Sequence, residues 1–143
     1  GLQSLPSNIL ERPCMLCDGD CFFTIDIIKS YREVSQKYNA TFTFIDTQPT
    51  PMYSYVTLKS GTNKEVMDIK EKVKISDYAN VGCYCFMNGS QLAIYCKKII
   101  EDNLRQSNQE GVGEFYTSGV IKEMLNDNIP CQMILINVSK SYI

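Results

Sequence analysis

The stretch that decides the fold runs from residue 66 to residue 86 and reads VMDIKEKVKISDYANVGCYCF. Both ends are rich in β-branched and aromatic residues, whereas the middle is mostly charged. This pattern predicts a strand over residues 65–69, a charged connection that begins near Glu71-Lys72, and a buried strand over residues 78–87. The preceding residues 53–58 form another β-rich run, and the turn sequence at 60–63 joins it to the strand at 65–69 as a hairpin.

The rest of the chain alternates between strand and helix patterns. We predict the following elements: a strand at 14–17, a helix from Thr24 as N-cap to Tyr38, a strand at 41–45, a Ser90-capped helix at 91–105, a loop at 106–113, a helix that follows Thr117-Ser118, and a strand at 131–138. The order β-α-β-β-β-β-α-α-β is typical of an α/β domain with some antiparallel pairing. A largely parallel sheet is therefore expected.

Composition excludes several classes of protein. The chain has 143 residues, 44% of them hydrophobic and 21% charged, which suits one folded domain over residues 1–143. A net charge of −2 gives no reason to expect binding to nucleic acid or to an anionic membrane. No apolar run is long enough to span a bilayer. The chain has no histidine, which excludes Ser-His-Asp and Cys-His catalysis and zinc sites with histidine ligands.

The seven cysteines bear on the cellular compartment and on metal binding. An odd number, with no visible signal peptide, predicts reduced thiols in a cytoplasmic protein. Cys14, Cys17, Cys21, Cys83 and Cys85 offer an alternative interpretation as a thiolate zinc site. Alternation along the first strand places Cys14 and Cys17 on opposite faces, however, and buried cysteines commonly act as small apolar residues. The spacing therefore favours packing over zinc.

Asp18-Gly19-Asp20 is the strongest chemical signal. It follows the short apolar strand at 14–17, and ligands of open α/β sheets collect at the carboxyl ends of strands. Two carboxylates there suit Mg²⁺ or Mn²⁺, which bridge phosphate oxygens. The alternative is a solvated turn. Among enzymes, haloacid-dehalogenase phosphatases, glycosyltransferases and sugar nucleotidyltransferases all place such a motif after a strand.

Residues 66–86 distinguish these families. The run Glu71-Lys72, followed by a short spacer and the strand Tyr78-Ala79-Asn80-Val81-Gly82-Cys83-Tyr84-Cys85-Phe86, resembles the sugar nucleotidyltransferases that include glucose-1-phosphate thymidylyl- and uridylyltransferases. The hairpin before it fits the same family, as does Gly113-Glu114 ahead of a helix. The resemblance covers nearly the whole chain, in order. It implies a glycosyltransferase-A-like, Rossmann-related mixed sheet flanked by helices, present as the central and sugar-binding portion of the domain.

The resemblance also implies roles for individual residues. Asp20 matches the family's metal ligand, with Asp18 as a neighbour that assists, and the metal would be Mg²⁺ or Mn²⁺. Glu71 matches a contact to sugar hydroxyls, and Lys72 matches a contact to the sugar phosphate. Asn80 and Gly82 match a strand whose backbone passes close to the sugar, and Glu114 matches a further sugar contact. On residue type alone, Glu71-Lys72 also fits a solvated charge pair, and Glu114 also fits a helix cap.

The implied reaction joins a nucleoside triphosphate to a sugar 1-phosphate, or to a similar phosphorylated small molecule, and releases pyrophosphate. Asp20 and Lys72 would be the catalytic residues, and catalysis would come from positioning and electrostatics. The expected partners are these small molecules and, in addition, a second copy of the chain in a homo-oligomer. The alternatives are a dehalogenase-like phosphatase with Asp18 as nucleophile and Asp20 as acid and base, or a non-catalytic module that binds sugar phosphates.

The chain departs from the family at several points. Val73 stands where the family has proline, and the sequence contains neither the family's Gly-x-Gly-x-Arg loop nor its Asp-x-Gly-Thr segment. We therefore expect the 143 residues to be part of a larger domain and to be inactive alone. The sequence does not decide between nucleotide bases or between sugars.

Overall fold

The computed structural model describes residues 1–62, 64–107 and 113–137. Helices and strands are mixed along the chain, with four consecutive strands in its central part. In order they are a 3₁₀ turn at Leu2–Ser4, α1 (Ser7–Leu10), β1 (Cys14–Cys17), α2 (Ile27–Arg32), β2 (Asn39–Ile45), β3 (Ser54–Leu58), β4 (Val66–Glu71), β5 (Tyr78–Phe86), α3 (Gly89–Glu101), β6 (Gln106–Ser107), β7 (Gly113–Glu114), α4 (Thr117–Asn126) and β8 (Cys131–Leu135).

The main sheet has the order β4-β3-β5-β2-β8, and β1 also pairs with β5. Only β2 and β8 are parallel, whereas the other pairs in this sheet are antiparallel. The predicted α/β class with a mixed sheet flanked by helices is confirmed, but the expected largely parallel sheet is wrong. Parallel neighbours need a long crossover. The hairpin turn between β3 and β4, where Gly61 has φ of 80°, and the short β4–β5 connection leave no room for one.

One edge of β5 is shared by two strands. Tyr55 of β3 pairs with Ala79, and Cys17 of β1 pairs with Cys83. The last residue of β1 and the first residues of β3 therefore meet beside residues 80–83 of β5. The carboxyl end of β4 lies at the same place, because Glu71 pairs with Ser54.

Helices cover both faces of the sheet. On one face, α3 and α4 pack on the larger apolar core, whose buried members are Val56, Val66, Ile69, Phe86, Leu92, Tyr95, Ile99, Val120, Ile121, Met124, Cys131 and Met133. On the other face, α2 contributes Tyr31 to a smaller core with Ala40, Phe42, Cys83 and Cys85. Strand alternation separates the cores, because Cys83 and Cys85 face α2 while Phe86 faces the larger core.

Several predicted boundaries are wrong. The second helix is short and begins after Asp26, whose carboxylate accepts from the backbone N–H of Lys29 at 2.9 Å, so Asp26 rather than Thr24 is the N-cap. Asn88 caps α3 in the same way, whereas the hydroxyl of Ser90 donates to Glu11. An amide or carboxylate oxygen one residue before the first helical turn satisfies a free N–H best.

The predicted loop at 106–113 contains the paired strands β6 and β7 at its two ends, so that prediction is wrong for the residues that the structure shows. Residues 108–112 lie outside the described residues, as does residue 138 of the predicted last strand. Within the described part of the chain, no helix has the length and apolar character needed to traverse a lipid bilayer.

Candidate functional site

The first part of the site is the turn that follows β1. The backbone N–H of Cys21 donates to the carbonyl of Asp18 at 3.3 Å and closes the turn. As a result, one side-chain ligand atom from each of Asp18, Asp20 and Cys21 lies within 4.8 Å of the other two. The Cys21 thiol donates to the carbonyl of Val81 at 2.9 Å. The two exposed carboxylates therefore remain as the hard oxygen donors that Mg²⁺ or Mn²⁺ prefers.

Gly82 makes room for Asp18. The Asp18 N–H donates to the Gly82 carbonyl at 2.8 Å, and Gly82 has φ of 79°. A Cβ at this position would lie 2.3 Å from Asp18 Oδ2 and 2.8 Å from its Cγ. Glycine is needed here both for the left-handed backbone and for the close approach of the carboxylate. The predicted reason for Gly82, close approach to a sugar, is untested, and in this structure the nearest group is Asp18.

Asn80 holds the irregular part of β5 in place. Its carboxamide oxygen accepts from the N–H groups of Gly82 at 2.6 Å and of Cys83 at 3.2 Å. Its nitrogen donates to the hydroxyl of Thr41 and, at 3.1 Å, to the carbonyl of Cys83. All four hydrogen-bonding positions of this buried amide are thus used inside the chain. In this structure Asn80 supports the bulge that carries Gly82 and does not present its side chain to solvent.

Glu71 ends β4 with a buried carboxylate. The hydroxyl of Ser118, in the first turn of α4, donates to Glu71 Oε2 at 2.8 Å. The side-chain oxygen of Gln106 accepts from the backbone N–H of Glu71 at 2.9 Å, and its nitrogen donates to Ser118 at 3.3 Å. Three elements that are distant in sequence thereby fix the position of one carboxylate.

Burial raises the pKa of Glu71, although the hydrogen bond from Ser118 and the charge of Lys72 oppose the increase. The negative charge of Asp18 adds to it. Burial also raises the pKa of Tyr84, and the charges of Glu71 and Asp18 contribute. Asp18 therefore lies within electrostatic reach of Glu71. Burial also raises the pKa of Cys21, and the charges of Asp20 and Asp18 add to the increase.

Lys72 stands directly after the strand, in the left-handed region at φ of 51°. Its backbone N–H donates to the carbonyl of Tyr53 at 2.8 Å, which fixes this tight turn. Its ammonium donates to Tyr116 Oη at 3.3 Å and lies 5.3 Å from the centre of that ring. Tyr116 Oη in turn donates to the carboxylate of Glu114. Glu114, Tyr116 and Lys72 form a chain of hydrogen bonds beside Glu71.

The structure thus brings Glu71, Lys72 and Glu114 together at the end of β4. The exposed pair Asp18 and Asp20 lies close to this group, with Asp18 within electrostatic reach of Glu71. The sequence patterns did not predict Tyr116, Ser118 and Gln106 as site residues. Tyr116 and Ser118 lie in the segment that indicated Glu114, but a tyrosine or serine near the start of a helix has no distinctive pattern. Gln106 carried no signal at all, because it belongs to a stretch that reads as a polar loop.

Comparisons with known proteins support this architecture. No protein-family model matches the sequence, and no curated protein is significantly similar to it in sequence. Solved structures do match. One is a nucleoside-diphosphate-sugar pyrophosphorylase from Vibrio cholerae RC9, with a TM-score of 0.60 and 21% identity. A second, assigned as a glucose-1-phosphate thymidylyltransferase from Bacillus anthracis, has a TM-score of 0.64 and 16% identity. A third, the inositol-1-phosphate CTP transferase from T. maritima, has a TM-score of 0.60 and 11% identity.

The chain has a nucleotidyltransferase-like fold. The three matches cover 80%, 91% and 93% of this chain. The resemblance predicted from residues 66–86 is therefore confirmed at the level of the fold. The chain spans 43%, 48% and 47% of the length of these structures.

Proposed function

We propose that this chain forms the acceptor-binding and metal-binding part of a nucleotidyltransferase that uses a sugar 1-phosphate or a similar phosphorylated small molecule. One observation supports this most directly. The cation of Lys72 and the carboxylates of Asp18, Glu71 and Glu114 come from three separate segments, with Glu71 and Lys72 adjacent, and converge on one region of a nucleotidyltransferase-like fold. A phosphate needs a cation, and sugar hydroxyls need acceptors.

Each residue has a role in this proposal. Lys72 binds the acceptor phosphate as a point charge, held in place by Tyr116. Glu71 accepts hydrogen bonds from hydroxyls through the oxygen that Ser118 does not occupy, and Glu114 offers a second acceptor. Asn80 and Gly82 act through Asp18, because they shape the part of β5 against which Asp18 packs. The acceptor phosphate oxygen would attack the α-phosphorus of the nucleotide, and pyrophosphate would leave in line.

Asp18 and Asp20 would hold Mg²⁺ or Mn²⁺, which neutralises charge on phosphate oxygens when it is bound. Their oxygens fit such an ion, because they lie close together, are exposed and, among the described residues, have only a weak thiol contact from Cys21 to Asp20 at 3.8 Å. Asp18 also lies within electrostatic reach of Glu71, and we therefore place it in the site beside Asp20.

Binding tests this proposal directly. Calorimetric titration of the 143-residue chain with glucose 1-phosphate in Mg²⁺ should show saturable binding, and glucose alone should bind more weakly. Lys72→Met should lower the affinity roughly 10- to 100-fold, the effect of losing a charged hydrogen bond. Lys59→Met is the matched control, because Lys59 is an exposed lysine of the same hairpin that pairs with Glu65 at 2.6 Å. Failure of glucose 1-phosphate and of a panel of other sugar and alditol phosphates to bind would overturn the proposal.

Turnover distinguishes the alternatives. Pyrophosphate release from a nucleoside triphosphate and a sugar phosphate is expected only when a Gly-x-Gly-x-Arg loop is supplied on the same polypeptide, and it should be lost in Asp20→Ala and in Asp18→Ala. Hydrolysis of p-nitrophenyl phosphate by this chain, abolished in Asp18→Asn, would favour the phosphatase instead. The three similar structures favour the transferase. Binding without turnover in the loop-bearing polypeptide would identify a non-catalytic module.

A further inference from the structure

Two thiols lie beside the site and take no part in the proposed transfer. Cys17 is the last residue of β1, and Cys83 is its partner on β5. Their sulfur atoms are 3.2 Å apart, although both cysteines are free. A covalent bond would require the two sulfurs to approach by about 1 Å more, which a small rotation of each side chain provides.

The strand geometry permits this bond. The Asp18 N–H donates to the Gly82 carbonyl, so Asp18 and Gly82 form a hydrogen-bonded pair of the antiparallel ladder. The two kinds of pair alternate along the ladder, and Cys17 and Cys83, the next pair, are therefore a non-hydrogen-bonded pair. In such pairs the Cα atoms are about 4.5 Å apart and the side chains are at their closest. That separation lies within the range found for disulfides, so neither strand has to move far.

The two thiols also differ in access. Cys17 is exposed, whereas Cys83 is fully buried in the smaller core. A small oxidant can therefore reach Cys17 from solvent, and Cys83 is shielded by the sheet and by α2. This is the arrangement of a solvent-facing thiol with a resolving thiol behind it.

We propose that Cys17 and Cys83 are an oxidative modification site, at which a peroxide converts the two thiols into an intrachain disulfide. The peroxide transfers one oxygen to the Cys17 sulfur, which becomes a sulfenic acid, and one water leaves when the oxidant is hydrogen peroxide. The Cys83 sulfur then attacks the Cys17 sulfur, the S–S bond forms, and the sulfenic oxygen leaves as a second water. Two thiols lose two electrons in total, and one peroxide is reduced.

The position of the bond links it to the site. Cys17 precedes Asp18 and Cys83 follows Gly82, so the disulfide joins the two strands where the carboxylate of Asp18 packs against Gly82. Oxidation therefore ties the end of β1 to the bulge of β5 and restricts the turn that carries Asp18 and Asp20. The proposal does not depend on the identity of the substrate.

Mass spectrometry of the full 143-residue chain tests this inference. After treatment with hydrogen peroxide and alkylation of the remaining thiols, the protein should lose two hydrogen atoms and keep five alkylated cysteines of its seven. Peptide mapping should locate the bond between Cys17 and Cys83. The reaction at neutral pH should be followed over hours.

Variants make the result specific. Cys17→Ser should abolish the disulfide, and because Cys17 is exposed this variant should keep the far-ultraviolet circular dichroism of the parent. Cys21→Ser is the matched control and should form the disulfide as the parent does. The bond joins positions 66 residues apart, so the oxidised parent should also unfold at a higher denaturant concentration than the reduced parent. A sulfinic acid on Cys17 with Cys83 still free, or a bond from Cys17 to Cys21, would overturn the proposal.

Discussion

Two clusters of the molecule are built from the same three residue types, a carboxylate, a tyrosine and a lysine. In the loop cluster, Tyr55 Oη donates to Asp46 at 2.6 Å, and Lys74 lies 5.9 Å from the centre of the Tyr55 ring. In the site cluster, defined by Glu114, Tyr116 and Lys72, the same contacts recur with the lysine 5.3 Å from the tyrosine ring. The two clusters differ in what surrounds each charge.

The loop cluster is closed. The ammonium of Lys74 donates to the carbonyls of Asp46 at 2.8 Å and Gln48 at 2.5 Å, and it lies 3.4 Å from the carboxylate of Asp77. Burial by itself would raise the pKa of Asp46. The hydrogen bonds from Tyr55 and from the N–H of Gln48, with the charge of Lys74, nevertheless hold it below its ordinary value. Each charge has partners, so this cluster stabilises the loop after β2.

The site cluster is open. Lys72 donates to a neutral phenol and, across the described ranges, forms no ion pair. The neighbouring Glu71 has a raised pKa, because burial outweighs its hydrogen bond to Ser118. Charges that the fold keeps without full compensation are typical of binding sites, whereas compensated charges are typical of structural clusters. The two clusters therefore differ in the ionic and hydrogen-bonding partners of their charged groups and not in their residue types.

The largest effect is expected for Asp46→Ala. The substitution leaves the buried hydroxyl of Tyr55 and the N–H of Gln48 without an acceptor, and it should lower the free energy of unfolding by about 3 kcal/mol. Urea denaturation measures this. Glu114→Ala is the control from the open cluster and should change stability by less than about 0.5 kcal/mol, because Glu114 is exposed. Equal losses of unfolding free energy in the two variants would show that the two clusters do not differ in their contribution to stability.

The second test replaces each of the two lysines in a separate variant. Lys72→Met should weaken glucose 1-phosphate binding roughly 10- to 100-fold with little change in stability. Lys74→Met should do the reverse, because its ammonium holds two carbonyls of the loop. Calorimetric titration and urea denaturation of both variants check the pair. If Lys74→Met also abolished binding while the protein stayed folded, the loop cluster would belong to the site.

The third test uses pH. Since the pKa of Glu71 is raised above its ordinary value of 4.5 in the folded chain, the folded chain binds this proton more tightly than the unfolded chain. The contribution to stability is therefore greatest below pH 4.5 and is lost as the pH rises through the folded pKa. Glu71→Gln should remove this loss. The free energy of unfolding, measured at several pH values from 4 to 7, should decline less with rising pH for the variant than for the parent, because all other titratable groups are the same in both. Identical pH profiles for the two proteins would contradict a raised pKa for Glu71.

The smallest effect is expected for Tyr116→Phe. The variant removes the acceptor for Lys72 and the donor to Glu114 but keeps the ring beneath the ammonium. Glucose 1-phosphate binding should weaken about three-fold, with stability almost unchanged, because the two hydrogen bonds that are lost belong to an exposed network. Tyr116→Leu, which also removes the ring, should weaken it further. A Tyr116→Phe variant that binds as tightly as the parent would show that the phenol does not position Lys72.

Much of the local structure follows from the sequence. The alternation in residues 53–69 predicts the β3–β4 hairpin, and the buried run after Tyr78 predicts β5. Both predictions depend on neighbours within a few residues, and such local patterns can be recognised in the sequence without a structure. The positions of Glu71 and Lys72 at the end of β4, and of Asp18 and Asp20 after β1, follow from the same patterns.

Strand pairing and the details of the site depend on contacts between residues that are far apart in the sequence. Nothing in the local pattern states that β5 lies between β3 and β2, or that β1 and β3 share one of its edges, because pairing joins residues far apart in sequence. The roles of Asn80 and Gly82 depend on that pairing. Gly82 needs its positive φ and its missing Cβ because Asp18, 64 positions earlier, packs against it.

The sequence alone therefore determined most of the longer elements, the fold class and the residue types that suit phosphate and divalent-metal chemistry. The tertiary structure decided which of those residues face one another. It placed Ser118 on Glu71 across 47 positions and Tyr116 on Lys72 across 44, and it placed Cys83 against Cys17 across 66. The reason is physical: periodicity reports which face of an element is buried, whereas contacts between elements arise only when those faces pack together.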